Sequence, residues 1–256
     1  MIDEKIAERR ASVRDDRRRA RLRRTVTFVV VLAVVGVLVA VERSALVGLE
    51  EVEVVGIERL TPDEVREAAA LELGTSTLRL RLDRASEQVE GLPLVRRAEA
   101  GRLDPLTVQI VVEERAPQVV AVGGDERRLL DAEGVVIDDV DPTGDEDLLE
   151  TLAEIHLPGA PPAVGERVAA DPALANAHAA WRGLSGPIRA EVVRLDAAGP
   201  DELTLRLRAG IAVRFGRAER IDEKVRALGA VLEDIGDTPI EMIDVRAPRA
   251  PVVGSG

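Results

Sequence analysis

Hydrophobic and polar positions divide this chain into a basic arm, one long apolar run and a series of short amphipathic elements. The run is Thr25 to Val41, 17 uncharged residues. At 1.5 Å of rise per residue it makes a helix of roughly 25 Å, at the short end of what crosses hydrocarbon. After a linker from Ser44 to Glu50, Glu51 to Val55 alternates with period two and stops at Gly56, which predicts a strand and a turn. Thr61-Pro62-Asp63-Glu64 supplies an N-cap, a proline at the first helical position and a glutamate three residues after the cap. The helix it opens carries Val65, Ala68 and Ala69 as a stripe and is expected to run until Gly74. A second helix fits Asp83 to Glu90, closed by Gly91. Strands follow at Val95 to Ala100 and Thr107 to Glu113, joined by a turn at Leu103-Asp104-Pro105, with Val108, Ile110 and Val112 on one face. The order is β-α-α-β-β, a sheet with two helices on one face.

Beyond Pro117 the pattern returns to strands, at Gln118 to Val122, Arg128 to Leu130 and Val135 to Ile137. Asp131-Ala132-Glu133-Gly134 reads as a four-residue hairpin connection in which Gly supplies positive φ. Asp138 to Glu150 is crowded with acids, and Leu157 to Gly165 is a Pro/Gly-rich loop. A helix is predicted from Pro172 to Leu184 behind an Asp171 cap, with Leu174, Ala177, Trp181 and Leu184 on one face. Strands are expected at Val192 to Leu195, Leu203 to Leu207 and Ile211 to Phe215. The clearest helix carries Ile221, Val225, Leu228, Leu232 and Ile235 at three- and four-residue steps and stops at Gly236; a strand from Ile240 to Val245 and a Pro-rich tail close the chain.

Charge gives this pattern an orientation. The first 24 residues hold Lys5 and nine arginines against five acids, a net +5, while the remainder carries −17 of the total −12. Cationic flanks stay in the cytoplasm, so the C-terminal part is expected outside it. A cleaved signal peptide is the rival reading, and Arg23-Arg24 hints at a twin-arginine signal. Ala40 is followed by Val41, Glu42 and Arg43 rather than a small-x-small cleavage site, which favours an uncleaved anchor. With no Tyr, two Phe and one Trp, Val, Leu, Ile and Ala must supply the core. No Cys means no disulfides and no thiolate metal sites. The acidic remainder has no cationic footprint for nucleic acid.

Candidate chemistry is sparse. Gly183-Leu184-Ser185-Gly186 approaches a nucleophile elbow, but Pro187 stands where a second Gly is needed and no strand precedes it. His156 and His178 lack metal-ligand spacing and are expected as surface or helix-face residues. Asp139, Asp141, Thr143, Gly144, Asp145, Asp147 and Glu150 fall at the oxygen-ligand and glycine positions of an EF-hand-like loop. Glu146 occupies its apolar position, so the reading is a solvated acidic loop. No catalytic residue, metal, cofactor or small-molecule substrate is expected, and the chain is read as non-enzymatic.

Two blocks of residues resemble the bacterial cell-division family FtsQ/DivIB. The first comprises Val52, Val54, Gly56, Leu60, Glu64, Gly74 and Leu82-Asp83, then Arg102, Pro105, Thr107, Val108, Ile110, Val112, Glu114-Arg115 and Pro117. Asp104 departs from it where the family usually has an aromatic. Leu130-Asp131, Gly134 and Val136 resemble the start of the family's second, mostly-β domain. The second block is Gly210, Val213, Phe215-Gly216, Glu219, Ile221, Lys224, Leu228, Ile243-Asp244-Val245-Arg246 and Pro248. The resemblance implies an α+β chain: a basic arm (1–24), a transmembrane helix (25–41), a linker (42–50), a POTRA-like domain (51–117), a β domain with a long C-terminal helix (118–247) and a tail (248–256). It also implies a scaffold of the divisome at the septum, binding FtsL and FtsB/DivIC-type membrane proteins by strand addition at the far edge of the β domain. That edge is expected at Ile240 to Val245 with the tail, which makes Ile243, Val245, Arg246, Val252 and Val253 the candidate partner-binding residues. A POTRA-type chaperone of exported proteins and an exported calcium-binding adhesion module are the alternative readings.

Overall fold

The computed structural model describes residues 24–37, 48–141, 146–235 and 240–254. Residues 24–37 form a helix, α1, with every side chain exposed. Among the described residues no helix is long and apolar enough to cross a membrane. The last four residues of the expected span, 38–41, lie outside the described residues, as do the basic arm up to residue 23, residues 142–145 of the acidic loop and Gly236.

The chain forms two compact units, interleaved in sequence: residues up to Val55 with Pro62–Ser86 and Glu99–Val111, and Gly56–Thr61 with Glu87–Ala98 and Val112–Gly256. The elements follow the expected β-α-α-β-β order: β1 (Glu51–Val55), α2 (Pro62–Ala69), α3 (Leu82–Glu90), β2 (Val95–Arg102) and β3 (Thr107–Glu114). Their three-stranded sheet has the order β1-β3-β2, with β1 parallel to β3 and Glu51 opposite Thr107. The alternation on β3 is real burial, with Val108, Ile110 and Val112 inside. Helix α2 ends at Ala69, short of Gly74, because Ala70 takes a left-handed φ of 49° and its N–H donates to Glu67, only three residues back. The Arg66 guanidinium ties α2 to β1 by donating to the Val52 carbonyl, 3.0 Å.

A nine-stranded sheet dominates the second unit. Its strands are β4 (Pro117–Gly123), β5 (Glu126–Asp131), β6 (Val136–Asp139), β7 (Ala153–His156), β8 (Val192–Gly199), β9 (Glu202–Leu207), β10 (Ala212–Arg214), β11 (Met242–Asp244) and β12 (Val252–Gly254). In space they run β12-β11-β10-β9-β8-β7-β4-β5-β6. One face is covered by α5 (Pro172–Gly183), α6 (Gly186–Glu191) and α7 (Ile221–Ile235), which contribute Leu174, Trp181, Ile188 and Leu228 to a single core with Leu195, Leu205, Val213, Phe215 and Ile243. At the β4-β5-β6 end the opposite face is covered too, where α4 (Glu146–Thr151) brings Leu148 and Leu149 against Val120, Leu129 and Ile137. Burial on both faces explains why β4 is a continuous apolar run rather than an alternating one.

The hairpin connection works as expected. Asp131 Oδ1 accepts from the N–H groups of Glu133 and Val135, and Gly134 takes φ 79°. A Cβ there would stand 2.7 Å from a Val168 methyl, so only glycine fits. Asp171 caps α5 by accepting from Ala173 and Leu174.

Three expectations are corrected. The acid-rich stretch is not all loop, since it holds the end of β6 and helix α4, and β7 follows it. Its four residues pair with both β4 and β8, a central position that a hydrophobicity pattern this short does not reveal. Gly183 to Gly186 lies at the junction of α5 and α6, a helix the sequence pattern did not announce, and, as expected, no strand precedes Ser185. His178 is buried within α5 rather than exposed. Finally, Ile240 to Val245 is not the outer edge: only Met242–Asp244 is strand, and the tail folds back as β12 to cover it.

Candidate functional site: the C-terminal sheet edge

The edge is built by α7, which crosses from β10 to the parallel strand β11 and thereby returns the chain in the same direction. After β11 the segment from Val245 to Pro251 turns, with the Ala250 N–H donating to the Ala247 carbonyl at 3.0 Å, and β12 runs back antiparallel. Register places Ile243 opposite Val253 and Asp244 opposite Val252. Opposed residues share a face, so Val253 continues the α7-covered face through Ile243 and Val213, while Val252 joins Asp244 and Arg214 on the open face. On the outer side of β12 no strand pairs among the described residues.

The five expected contact residues therefore separate. Val252 and Val253 are 59% and 43% exposed on the outermost strand. Ile243 and Val245 are fully buried, so their side chains hold the core beneath the edge and are not offered at the surface. Arg246 is exposed and turns back on Asp244, donating from Nε at 3.0 Å and from Nη2 at 2.5 Å. That guanidinium holds the Asp244 carboxyl below the usual carboxylate range, and the carboxylate in turn raises the Arg246 pKa. On the helix side, a shallow groove runs beside the tail between Glu223, Arg226 and Ala227 of α7 and Pro248 and Arg249. On the open side, a second groove is lined by alternating charges including Asp196, Arg206, Arg214 and Arg246.

A polar clamp fixes the loop between β10 and α7. Lys224 is almost completely buried, and its Nζ donates to the carbonyls of Phe215 at 2.8 Å and Arg217 at 2.6 Å while lying 4.9 Å from the centre of the Phe215 ring. Burial pushes its pKa down. From the other side Asn176 donates to the Gly216 carbonyl at 3.1 Å and accepts from the Ala218 N–H at 2.6 Å. The Arg217 guanidinium grips Asp201 with two nitrogens. In the sequence Lys224 stands out as one of only two lysines, and it falls on the apolar stripe of α7, three residues after Ile221 and four before Leu228.

Further polar constellations lie elsewhere in this unit. The Glu114 carboxylate accepts from the backbone N–H groups of Glu58, Arg59 and Leu60, closing the turn after Gly56. Arg115 Nη1 donates to Asp131 at 2.6 Å and Glu133 at 2.9 Å. His178 Nε2 lies 3.2 Å from the Asp131 carbonyl, and burial holds the imidazole below its ordinary pKa. His156 pairs with Glu154 at 2.7 Å on β7. In the acidic stretch, Asp139 is engaged by Arg128 at 3.0 Å and Asp147 and Glu150 lie in α4. Among the described residues no group of acidic and histidine side chains is placed to hold a metal ion.

A β-α-α-β-β module preceding a mixed sheet that ends in a helix crossover and a folded-back edge strand defines a tandem of a POTRA-type domain and a β domain. Residues 47–115 match the family profile "POTRA domain, FtsQ-type", and residues 118–246 match "Cell division protein FtsQ/DivIB, C-terminal". The chain belongs to the FtsQ/DivIB family of cell division proteins. Similar relatives are each called cell division protein FtsQ. That of Mycobacterium leprae (strain Br4923) is 31% identical over 80% of this chain and 55% of its own length. That of Streptomyces bingchenggensis (strain BCW-1) is 29% identical over 93% of this chain and 89% of its own. That of Rhodothermus marinus is 39% identical over 46% of this chain and 43% of its own. The chain thus spans little more than half the length of two of these relatives, 55% of that from Mycobacterium leprae and 58% of that from Mycolicibacterium smegmatis (strain ATCC 700084 / mc(2)155).

Proposed function

We propose that this chain is a membrane-tethered, non-catalytic docking platform of the divisome. In this reading residues 1–24 are a cytoplasmic arm, 25–41 span the plasma membrane, 42–50 link, and the POTRA-like domain (51–117), β domain (118–247) and tail (248–256) lie outside the cytoplasm at the septum. Partners are division membrane proteins of the FtsL and FtsB/DivIC type, and binding them helps assemble and regulate septal cell-wall synthesis. The observation that carries the reading is the outermost strand β12, short and with two exposed valines, just beyond the residues matched by the family profile. A sheet edge offers unpaired backbone N–H and C=O groups to an incoming strand, and alternate side chains beside Val252 and Val253 select it. Pro248 and Pro251 cannot donate to a ladder, which limits the edge and protects it from pairing with copies of itself.

The test is capture of an FtsB/DivIC-type ectodomain by the Val252→Asp variant. A charge on β12 is expected to abolish capture and to leave the thermal unfolding curve in place; capture at wild-type strength overturns strand addition at this edge. In cells, a fluorescent fusion is expected as a mid-cell ring and depletion as filamentation, whereas uniform envelope fluorescence contradicts a division role.

A further inference from the structure

One end of the first unit exposes three leucines among charged residues, Glu50, Glu72 and Asp104 as well as two arginines. β1 and β3 start there, β2 finishes there, and the loop between α2 and α3 closes over them. The loop is stitched to the incoming chain: Gly48 bridges Ser76, the Leu49 N–H donates to the Thr75 carbonyl at 2.9 Å, and the Gly74 N–H donates to the Leu49 carbonyl at 2.7 Å. It is also stitched to the β2-β3 turn, since Thr77 Oγ1 donates to the Pro105 carbonyl at 2.8 Å and Arg102 donates twice to the Thr77 carbonyl. From this end project Leu73, Leu78 and Leu103, exposed by 66%, 63% and 57%. Leu80 and Leu82, in the same stretch, are partly buried, so Leu78 is held outside by a pinned loop and not by lack of sequence hydrophobicity. Arg79 and Arg81 are exposed beside it.

Chain length says what faces this end. The apolar run closes at Val41, and Gly48 is seven residues further on, at most about 25 Å of fully extended chain. The bridge at Gly48 makes the leucine-bearing loop the neighbour of the chain's arrival point, and hence the part of the unit tethered nearest the bilayer. We propose that this end docks on the extracytoplasmic face of the membrane, with Leu73, Leu78 and Leu103 in the acyl-headgroup boundary and Arg79 and Arg81 among the headgroups. The inference rests on the reading that 25–41 spans the membrane. Apolar side chains flanked by long cationic ones suit an interface that is greasy on one side and wet on the other. Docking would fix the orientation of the first unit relative to the membrane, which a flexible tether alone does not do.

The chain has no cysteine, so single-site labelling is clean. Full-length chain carrying L73C, L78C or L103C, or the control D63C at the start of α2, is labelled with an environment-sensitive dye and reconstituted into phosphatidylethanolamine/phosphatidylglycerol vesicles. Flotation is read first. Chain that stays in the dense fractions overturns the membrane anchor and this inference with it. In floating chain, labels at 73, 78 and 103 are expected to emit further to the blue than the label at 63. They should also be quenched by bromolipids whose bromines lie about 5–10 Å below the headgroup boundary. Emission and lipid quenching equal to the control overturn the docking while leaving the anchor standing. Protection from an aqueous quencher without bromolipid quenching indicates a protein neighbour, such as a second copy, and also overturns it. Unlabelled L73Q/L78Q/L103Q chain should unfold at the wild-type temperature, and in vesicles trypsin should cut it faster after Arg79 and Arg81. An unchanged cleavage rate counts against docking.

Discussion

Replacing Lys224 by methionine tests the physical account of how the edge is supported. The buried ammonium makes two charge-assisted bonds, to Phe215 and Arg217 carbonyls. Hydrogen bonds to charged groups contribute about 1.5–3 kcal/mol each, and a buried carbonyl left unpaired costs about 1–3 kcal/mol. Methionine recovers the apolar stem and avoids desolvating a charge, so the two losses are partly offset. A net destabilisation of about 2–4 kcal/mol is expected, on the scale of a lost pair of charge-assisted bonds. In a unit of this size that corresponds to a fall in Tm of roughly 5–15 °C. Urea denaturation followed by circular dichroism measures it, with Arg226→Met, an exposed neighbour on α7, expected within about 0.5 kcal/mol of wild type. If Lys224→Met unfolds with wild-type midpoint and slope, the clamp is not a stabilising element and the reasoning fails. If it is destabilised yet still captures the partner in the cold, the clamp supports the fold without shaping the edge.

The remaining outcomes concern acid, a cap and a turn. His178 has its pKa lowered by burial first and by Arg182, opposed by the Asp131 carbonyl and carboxylate. The folded state therefore takes up its proton later than the unfolded one, so the stability present above about pH 6.5 is lost as pH falls towards the folded value. Comparing His178→Gln with wild type across that window should show a shallower acid loss in the variant; parallel curves would exclude the histidine as the cause. Asp171→Ala removes the acceptor for two N–H groups of α5 and should cost about 1 kcal/mol in denaturant titration. Gly134→Val, forced to positive φ against Val168, should cost at least about 1–3 kcal/mol, and a neutral result would mean the hairpin can relax.

Much of the first unit was legible because each element announces itself within a few residues. The Thr61-Pro62 start, the alternation on β3 and the Leu103-Pro105 turn depend on local sterics and period, and all three stand in the structure. The long helix α7 was equally plain from its three- and four-residue steps. Helix α4, six residues long in an acid-rich stretch, gave no comparable periodic signal, and its burial of Leu148 and Leu149 exists only because β4, β5 and β6 present an apolar second face. The same holds for His178, whose burial follows from α5 lying over the Asp131 turn, 47 residues away in sequence.

The sequence by itself determined the apolar run, the acidic remainder, the family and the two valines near the C-terminus, since these are properties of composition, spacing and local conformation. Which strand lies outermost was decided only by the tertiary structure. Ile243 and Val253 are both β-forming and apolar, and one is buried while the other is exposed because the chain turns at Val245 to Pro251 and lays β12 over β11. Side-chain period tells which face a residue takes within a strand. It carries no information about how many strands lie beyond it, because that depends on pairing between segments far apart in the chain.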